Sequence, residues 1–546
     1  MSIHNLYDYQ LRCKHNIANL FNSSDEHRGL IKMFCGAGKS FIIYDTILTF
    51  GNKLSVIVVP SISLITQFNK DYLLDPDKIL YNKHNYNKIF NVITVCSKDE
   101  ITDGTTHITT NEDIIEKSLN DCINKNIDAV VLITYQSLEK LINIIKQNNM
   151  TIDLMCFDEA HHILGLNMKQ QLFGLDEDDY LNYEETETNK TDNDETNSDT
   201  NDSDDDSETY SDNYSDYDDN FLSTYVNKVL FFTATPKNTN NIVMYEPHPI
   251  VVNDIEYIIE DDINTEYADE PHCGPMIFEY MHLDGVNDNK LNDFKIRVDM
   301  YTENTDVSVF EAIARTILET GNNRVLTFHS RSETSSETRT NVNEFSTSSN
   351  KNEFIKCFKR VLTKEFPHLK GKYKTSDIEL IGLTAKTKDR QEILKKFEST
   401  PDNKICVLSS CKTIGEGVDT KTANMVVFVD PKQSYVEIIQ NIGRICRKQN
   451  KLSTVLIPVH VDVKKYKECI TEEDTDKVIR QEMSKNGDFN GILNVLSALR
   501  QEDPYLFELC LKYPEKYTKK EIKQNLKNNG LKLDDKEYTN AELFHK

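Results

Sequence analysis

Tryptophan is absent from this 546-residue sequence, and no C-x-x-C pair occurs among its twelve cysteines. Nowhere does the chain run through the roughly 18 uninterrupted apolar residues that a membrane helix needs. That absence excludes a membrane span. Met1 to Gln10 carries Asp8 and no apolar h-region, so no secretory signal is expected. The cysteines are scattered from Cys13 to Cys510. Such scatter fits reduced thiols inside a cell and argues against a disulfide framework or a structural zinc. An intracellular chain, cytoplasmic or nuclear, is expected.

What is present is ample apolar material and an uneven charge. Hydrophobic residues make up 38% of the chain and charged residues 28%, enough for several buried cores. The net charge is -26, but residues 176–220 alone hold twenty Asp or Glu against one Lys, Lys190. Without that segment the rest of the chain is near neutral, which leaves room for a basic face. The segment is nearly free of aliphatic side chains between Asn182 and Asn220, so it is expected to be a solvated loop. A second excursion, 332–349, is rich in Ser and Thr.

Between these breaks, short apolar runs alternate with amphipathic segments. Leu30–Phe34, Leu54–Val59, Asn91–Cys96, Ala129–Thr134, Leu154–Phe157 and Val229–Phe232 read as strands of one sheet. Val325–His329, Ile378–Leu383, Ile405–Ser409, Met425–Val429 and Thr454–Val459 read as strands of another. The alternation with helical spacing predicts two successive α/β lobes with parallel sheets. The expected divisions are 1–245 for the first lobe, 246–292 for a linker region, 293–461 for the second lobe and 462–546 for a helical C-terminal extension.

Two motifs carry chemistry. Gly36-Ala37-Gly38-Lys39-Ser40 follows an apolar strand and precedes an amphipathic stretch. In a phosphate-binding loop, small residues let backbone N–H groups of Gly36, Ala37 and Gly38 turn inward around phosphates. Lys39 would reach the β- and γ-phosphates of ATP, and the Ser40 hydroxyl would hold Mg²⁺. The longer pattern wants Gly at position 33, where Met33 stands. The second motif, Asp158-Glu159-Ala160-His161-His162, ends an apolar strand in paired carboxylates. One carboxylate, Asp158, suits the metal ion; the other, Glu159, suits the activation of water.

The order GAGKS (36–40), DEAHH (158–162), TATP (233–236), GEGVD (415–419) and QNIGRICR (440–447) resembles the superfamily 2 helicases, over roughly residues 5–460. The resemblance implies two RecA-like lobes, ATP and Mg²⁺ as cofactors, and a nucleic acid as partner. It implies that Gln10 reads adenine, and that Gly417 and Asp419 approach the nucleotide. It implies that Thr233 and Thr235 link hydrolysis to strand movement. Pro60, Ser61, Thr134, His329 and Arg331 are implied to lie on loops that grip the nucleic-acid strand. Arg444 and Arg447, three apart, are expected on one helical face with Gln440, completing the catalytic set of Lys39, Asp158 and Glu159. His161 is expected to couple Asp158 and Glu159 to Gln440 rather than to bind metal.

Within the superfamily, the box reads DEAH rather than DEAD, and Gln10 has only nine residues before it. Too little chain follows Val461 for the appended domains of spliceosomal-type DEAH enzymes. The pattern is more similar to the restriction-enzyme-like and large-DNA-virus helicases, with parallels at Arg324–His329 and Thr384–Phe397. An Asn-, Asp-, Lys-, Ile- and Tyr-rich composition without Trp fits an AT-rich genome, as of a giant virus or a protist. The expected function is an ATP-dependent helicase or translocase acting as a single chain, with DNA narrowly favoured over RNA and no membrane partner. The alternatives are an ATP-switched nucleic-acid-binding subunit that separates no strands, and a P-loop ATPase acting on protein. The acidic segment 176–220 is expected to be a tolerated surface loop, or else a tether competing with nucleic acid for a basic groove.

Overall fold

A computed structural model of the chain describes residues 6–23, 27–73, 91–97, 107–164, 166–174, 220–236, 249–252, 255–258, 273–301, 306–329, 348–384, 387, 389–410, 420, 422–430, 432, 434–461, 478, 481 and 489–502. Eight strands form a first sheet: β1 (Arg28–Met33), β2 (Leu54–Val59), β3 (Asn91–Val95), β4 (His107–Ile108), β5 (Ala129–Thr134), β6 (Leu154–Asp158), β7 (Val229–Thr233) and, after a separate antiparallel pair of β8 (Pro249–Val252) with β9 (Ile255–Ile258), β10 (Met276–Tyr280). Their spatial order is β10-β1-β7-β6-β2-β5-β3-β4. The second sheet holds β11 (Phe294–Tyr301), β12 (Arg324–Phe328), β13 (Ile378–Leu383), β14 (Ile405–Ser410), β15 (Met425–Phe428) and β16 (Ser453–His460). Its order is β11-β16-β15-β12-β14-β13. Every pairing within the two sheets is parallel.

The sequence explains this choice. Strands β2, β5, β6 and β7 are buried at every position, and an apolar run such as Leu54–Val59 has no polar face to show water. Such strands belong in the middle of a parallel sheet covered on both faces. The helices that matter to the site are α1 (Asp8–Ser23), α2 (Lys39–Phe50), α3 (Ile62–Phe68), α4 (His282–Asn287), α5 (Tyr435–Gly443) and α6 (Asn490–Glu502). The described cysteines are all free thiols, most of them buried. Among the described residues no helix is long and apolar enough to cross a membrane.

The topology gathers the motifs. In an open parallel sheet, ligands bind beyond the carboxyl ends of the strands. Strands β1, β7 and β6 are neighbours, so the loops carrying Gly36–Ser40, Thr233–Thr235 and Asp158–Glu159 emerge side by side. Next along the same edge come β2 and β5, which end at Pro60–Ser61 and Thr134.

Part of the stretch 246–292 departs from the linker that its acidic turns suggest. Met276–Tyr280 is an edge strand of the first sheet, paired with β1. Tyr280 leads through α4 to β11, the edge strand of the second sheet. Both edge strands mix charged and apolar residues (Glu279; Lys295, Arg297 and Asp299), and among the described residues one flank of each carries no further strand. The two lobes also share apolar packing: Phe34, just past β1, is buried with Phe294, Phe328, Ile438 and Ile442 of the second lobe. In the extension 462–546 the described part is chiefly α6, which packs Ile492, Val495, Ala498 and Leu499 onto that same cluster. The acidic segment 176–219, the Ser/Thr-rich loop through 347 and the Lys-rich end after 502 lie outside the described residues.

Candidate ATP site between the two lobes

The loop after β1 turns through two left-handed glycines, Gly36 at φ 85° and Gly38 at φ 90°. Side chains rarely adopt that backbone, and glycine does so without steric cost. Gly38 is the N-cap of α2 and offers its first N–H groups no side-chain partner. A helix start of this kind is suited to anionic oxygens. Lys39 and Ser40 open the helix. Ala37 is held from outside: the Tyr9 hydroxyl donates to its carbonyl at 2.8 Å, and Tyr280 stacks on Tyr9 with centroids 3.9 Å apart. Gln10 is buried against this loop, its Nε2 2.8 Å from where a Cβ on Gly38 would lie, while its Oε1 accepts from the Tyr7 N–H at 3.0 Å.

Lys39 is buried, with its ammonium 3.1 Å from Glu159 Oε1 and 3.4 Å from the Met33 carbonyl. Burial disfavours its charge, but Glu159, Cys35 and Asp158 together outweigh that and hold the lysine above its ordinary pKa. The same pairing acts on the acids. Burial and the adjacent Glu159 charge push Asp158 up to about 7. Burial also pushes on Glu159, yet Lys39 and His161 prevail and hold it below its ordinary value. Glu159 has φ 50°, a conformation uncommon for a residue with a Cβ, and its N–H bonds Asp158 Oδ1 at 3.1 Å. Tyr135, at the end of β5, donates its hydroxyl to the Asp158 carbonyl at 2.9 Å and steadies that turn.

His161 lies among the carboxylates and the threonines of the first lobe. Its Nδ1 lies 3.4 Å from both Thr233 Oγ1 and Thr235 Oγ1, and 3.6 Å from Glu159 Oε2. The histidine therefore joins the carboxylate box to the threonines at and just past the end of the neighbouring strand β7. Thr233 is further fixed by the Thr235 N–H at 3.0 Å.

The second lobe meets the loop through α5. Gln440 is buried on this helix, and Gly443 packs directly against Cys35. The helix ends at Gly443, which corrects the expected shared helical face: Arg444 is its C-cap, and bonds of the i+3 type carry the chain on through Ile445 and Cys446. Arg447 then pairs with Leu291 in an isolated antiparallel bridge. Both arginines nevertheless stand at the phosphate loop. The Arg447 Cγ is 3.5 Å from where a Cβ on Gly36 would lie, and Arg444 directly follows Gly443, which packs against Cys35.

Of the residues expected to grip a strand, Pro60 follows β2 and Ser61 caps α3, accepting from the Leu64 N–H at 3.4 Å. Thr134 is buried and donates to Ser137 at 3.2 Å. His329 is buried with Nε2 3.0 Å from Thr327 Oγ1. Both side chains hold their loops in shape and do not face outward, because each ends an interior strand. Gly417, Asp419 and Arg331 lie outside the described residues. Tyr9, Tyr135, Cys35 and Leu291 are the parts of the site that motif reading passes over. Tyr9, beside Gln10, Cys35, beside Gly36, and Tyr135, beside Thr134, had a signal in their proximity to a motif; Leu291 had none.

Residues 3–238 match the family model described as Type III restriction enzyme, res subunit, and residues 308–449 match Helicase conserved C-terminal domain. A probable helicase of African swine fever virus, from a Kenyan pig isolate, is 30% identical over 156 residues, which is 28% of this chain and 16% of the viral protein. The chain thus spans about a sixth of that relative's length. The DNA-bound structure of the ATP-dependent Type ISP restriction-modification enzyme LlaBIII superposes with a TM-score of 0.60 at 17% identity, over 95% of this chain and 31% of that one. A nuclease-deletion mutant of the Type ISP enzyme LlaGI, with a DNA substrate mimic, gives 0.52 at 18%, over 98% and 32%. These likenesses show a shared fold. With both family matches in their expected order on two parallel-sheet lobes, the chain belongs to superfamily 2 of the helicases.

Proposed function

We propose that this chain is an ATP-driven nucleic-acid motor, a helicase or translocase, whose single ATP site lies between its two lobes. One observation carries the proposal. A lysine and two acids at the carboxyl edge of the first sheet lie at the same loop as Arg444 and Arg447 of the second lobe. The donor set suits a nucleoside triphosphate with Mg²⁺: a left-handed glycine cradle, an uncapped helix start, the Ser40 hydroxyl and a buried Asp158 next to Glu159. When bound, the metal supplies charge neutralisation on the phosphates.

In this mechanism the backbone of Gly36, Ala37 and Gly38 holds the phosphates, and Lys39 moves from Glu159 to them. That movement releases Glu159 to orient and deprotonate the attacking water. Arg444 and Arg447 then stabilise the charge of the transferred phosphoryl group. An arginine so placed is worth roughly 10³–10⁵ in rate. Gln10 and Asp419 are assigned to the base and ribose, and Gly417 to the approach of the second lobe. Gln440 is assigned to ordering the water with the arginines. His161, Thr233 and Thr235 carry the state of the carboxylates toward the loops of Pro60, Ser61 and Thr134. Arg331 is assigned to the matching face of the second lobe, on the loop whose start the buried His329 holds. Hydrolysis then requires both lobes together, and their separation afterwards moves a bound strand.

DNA is the first substrate to test, in keeping with the DNA complexes of the fold relatives. The test is phosphate release by the full chain with matched single-stranded DNA, duplex DNA and RNA over a salt series. Stimulation that weakens with salt supports a motor. ATP binding without turnover on any strand supports the ATP-switched subunit instead.

A further inference from the structure

The apolar stripe of α6 runs through Ile492, Val495, Ala498 and Leu499 and then, one turn later on the same face, reaches a carboxylate, Glu502. Glu502 is 1% exposed. For packing alone an apolar residue would serve there at least as well, since a buried carboxylate is costly unless bonded and paired. Its carboxylate bonds the second lobe and its main-chain carbonyl the first. Glu502 Oε2 accepts from the Tyr435 hydroxyl at 3.1 Å, and Tyr435 is the first residue of α5, the helix that ends in Gly443 and Arg444. The Glu502 carbonyl accepts from the Lys32 ammonium at 3.3 Å, and Lys32 lies on β1, seven residues before Lys39. That ammonium also pairs with Glu279 of β10 at 2.8 Å, and its position at the C-terminal end of α6 suits the helix dipole. A second tie lies one helix face away, where Asn494 Nδ2 donates to the Lys432 carbonyl ahead of α5 at 2.8 Å.

We propose that Glu502 is a positioning residue of the ATPase, tying the arginine-bearing helix α5 to the strand that ends in the phosphate loop and making α6 a working part of the motor. The inference rests on the motor reading above. The experiment compares Glu502→Leu, Glu502→Gln and Tyr435→Phe with the full chain. Steady-state ATPase, the thermal midpoint and amide hydrogen exchange are read on each. Glu502→Leu keeps the packing, so the midpoint stays level or rises and KM for ATP changes by less than about twofold. Its kcat falls roughly 10–100-fold, as for misplaced catalytic groups. Glu502→Gln, which retains the acceptor, recovers part of that loss, and adding Tyr435→Phe to Glu502→Leu costs little more. Exchange quickens in 435–443 of the Leu variant, while 28–34, tied to the Glu502 main-chain carbonyl that every variant keeps, and 129–134 are unchanged. An unaltered kcat in an active enzyme, or a kcat that falls only in step with the midpoint, would overturn the proposal. If the wild-type chain shows no ATPase, the motor reading fails, and exchange alone decides: unchanged protection at 435–443 would overturn the tie.

Discussion

Gly443 and Cys35 touch across the interface of the two lobes, so closely that a Cβ added to the glycine would overlap the cysteine Cβ. One is the last residue of α5 and the other begins the phosphate loop. The absence of a side chain at position 443 thus sets how near Arg444 and Arg447 come to Lys39.

Gly443→Ala is expected to push α5 off the loop. Overpacking of this kind costs about 1–3 kcal/mol. In steady-state assays kcat should fall by roughly 10–100-fold, the penalty for displaced catalytic groups. Nucleotide binding, which rests mainly on the first lobe, should persist. An unchanged kcat would mean the lobes do not work at this spacing.

Glu159→Gln and Lys39→Ala should separate binding from chemistry. The Gln variant loses the carboxylate that holds Lys39 at 3.1 Å, so the lysine is freer to meet phosphate. Fluorescent-nucleotide titration should show ATP binding retained and phosphate release lost. Lys39→Ala should lose both. Full turnover in Glu159→Gln would show that another group activates the water.

Asp158→Asn should stabilise the nucleotide-free chain at neutral pH. Burial and Glu159 raise the folded pKa of Asp158 to about 7, above its unfolded value. A raised group contributes its stability in full below the unfolded pKa and loses it as pH rises through the folded one. The wild type therefore loses stability between about pH 4 and 7, near the reference carboxylate value at one end. The Asn variant is spared that loss. Tm measured without nucleotide or divalent cation should diverge across this window, with the Asn variant higher at pH 7. A lower Tm for the Asn variant at that pH would show that the ionised carboxylate is stabilising.

Gly38→Ala should abolish ATP binding while leaving the fold. Its φ of 90° disfavours any L side chain by roughly 1–2 kcal/mol. The added methyl would also meet Gln10 Nε2 at 2.8 Å. Calorimetric titration with ATP would detect the loss, and wild-type affinity would mean the loop is not the phosphate cradle.

The interior of the fold was legible in the sequence because its strands leave no alternative. Leu54–Val59 or Ala129–Thr134 is apolar at nearly every position and is buried on both faces. The edges were not. In β11, Lys295, Arg297 and Asp299 interrupt the apolar run, and β10 sits among acidic turns that read as a linker. At the site, Gly36–Ser40 and Asp158–Glu159 announce themselves by residue type. Tyr9 with Ala37, Leu291 with Arg447 and Cys35 with Gly443 are contacts between distant segments, and no local pattern encodes them. The end of α5 at Gly443 also escaped, since the helical spacing of 444 and 447 continues in the sequence after the helix has stopped.

The most direct test is single-turnover hydrolysis of ATP by Arg444→Ala and Arg447→Ala variants, with bound nucleotide quantified in the same samples and single-stranded DNA present. Both variants should bind ATP as the wild type does, and removing an arginine that acts on the phosphoryl group should slow hydrolysis roughly 10³-fold or more. Wild-type hydrolysis by a variant lacking both guanidinium groups would contradict an ATP site completed by the second lobe.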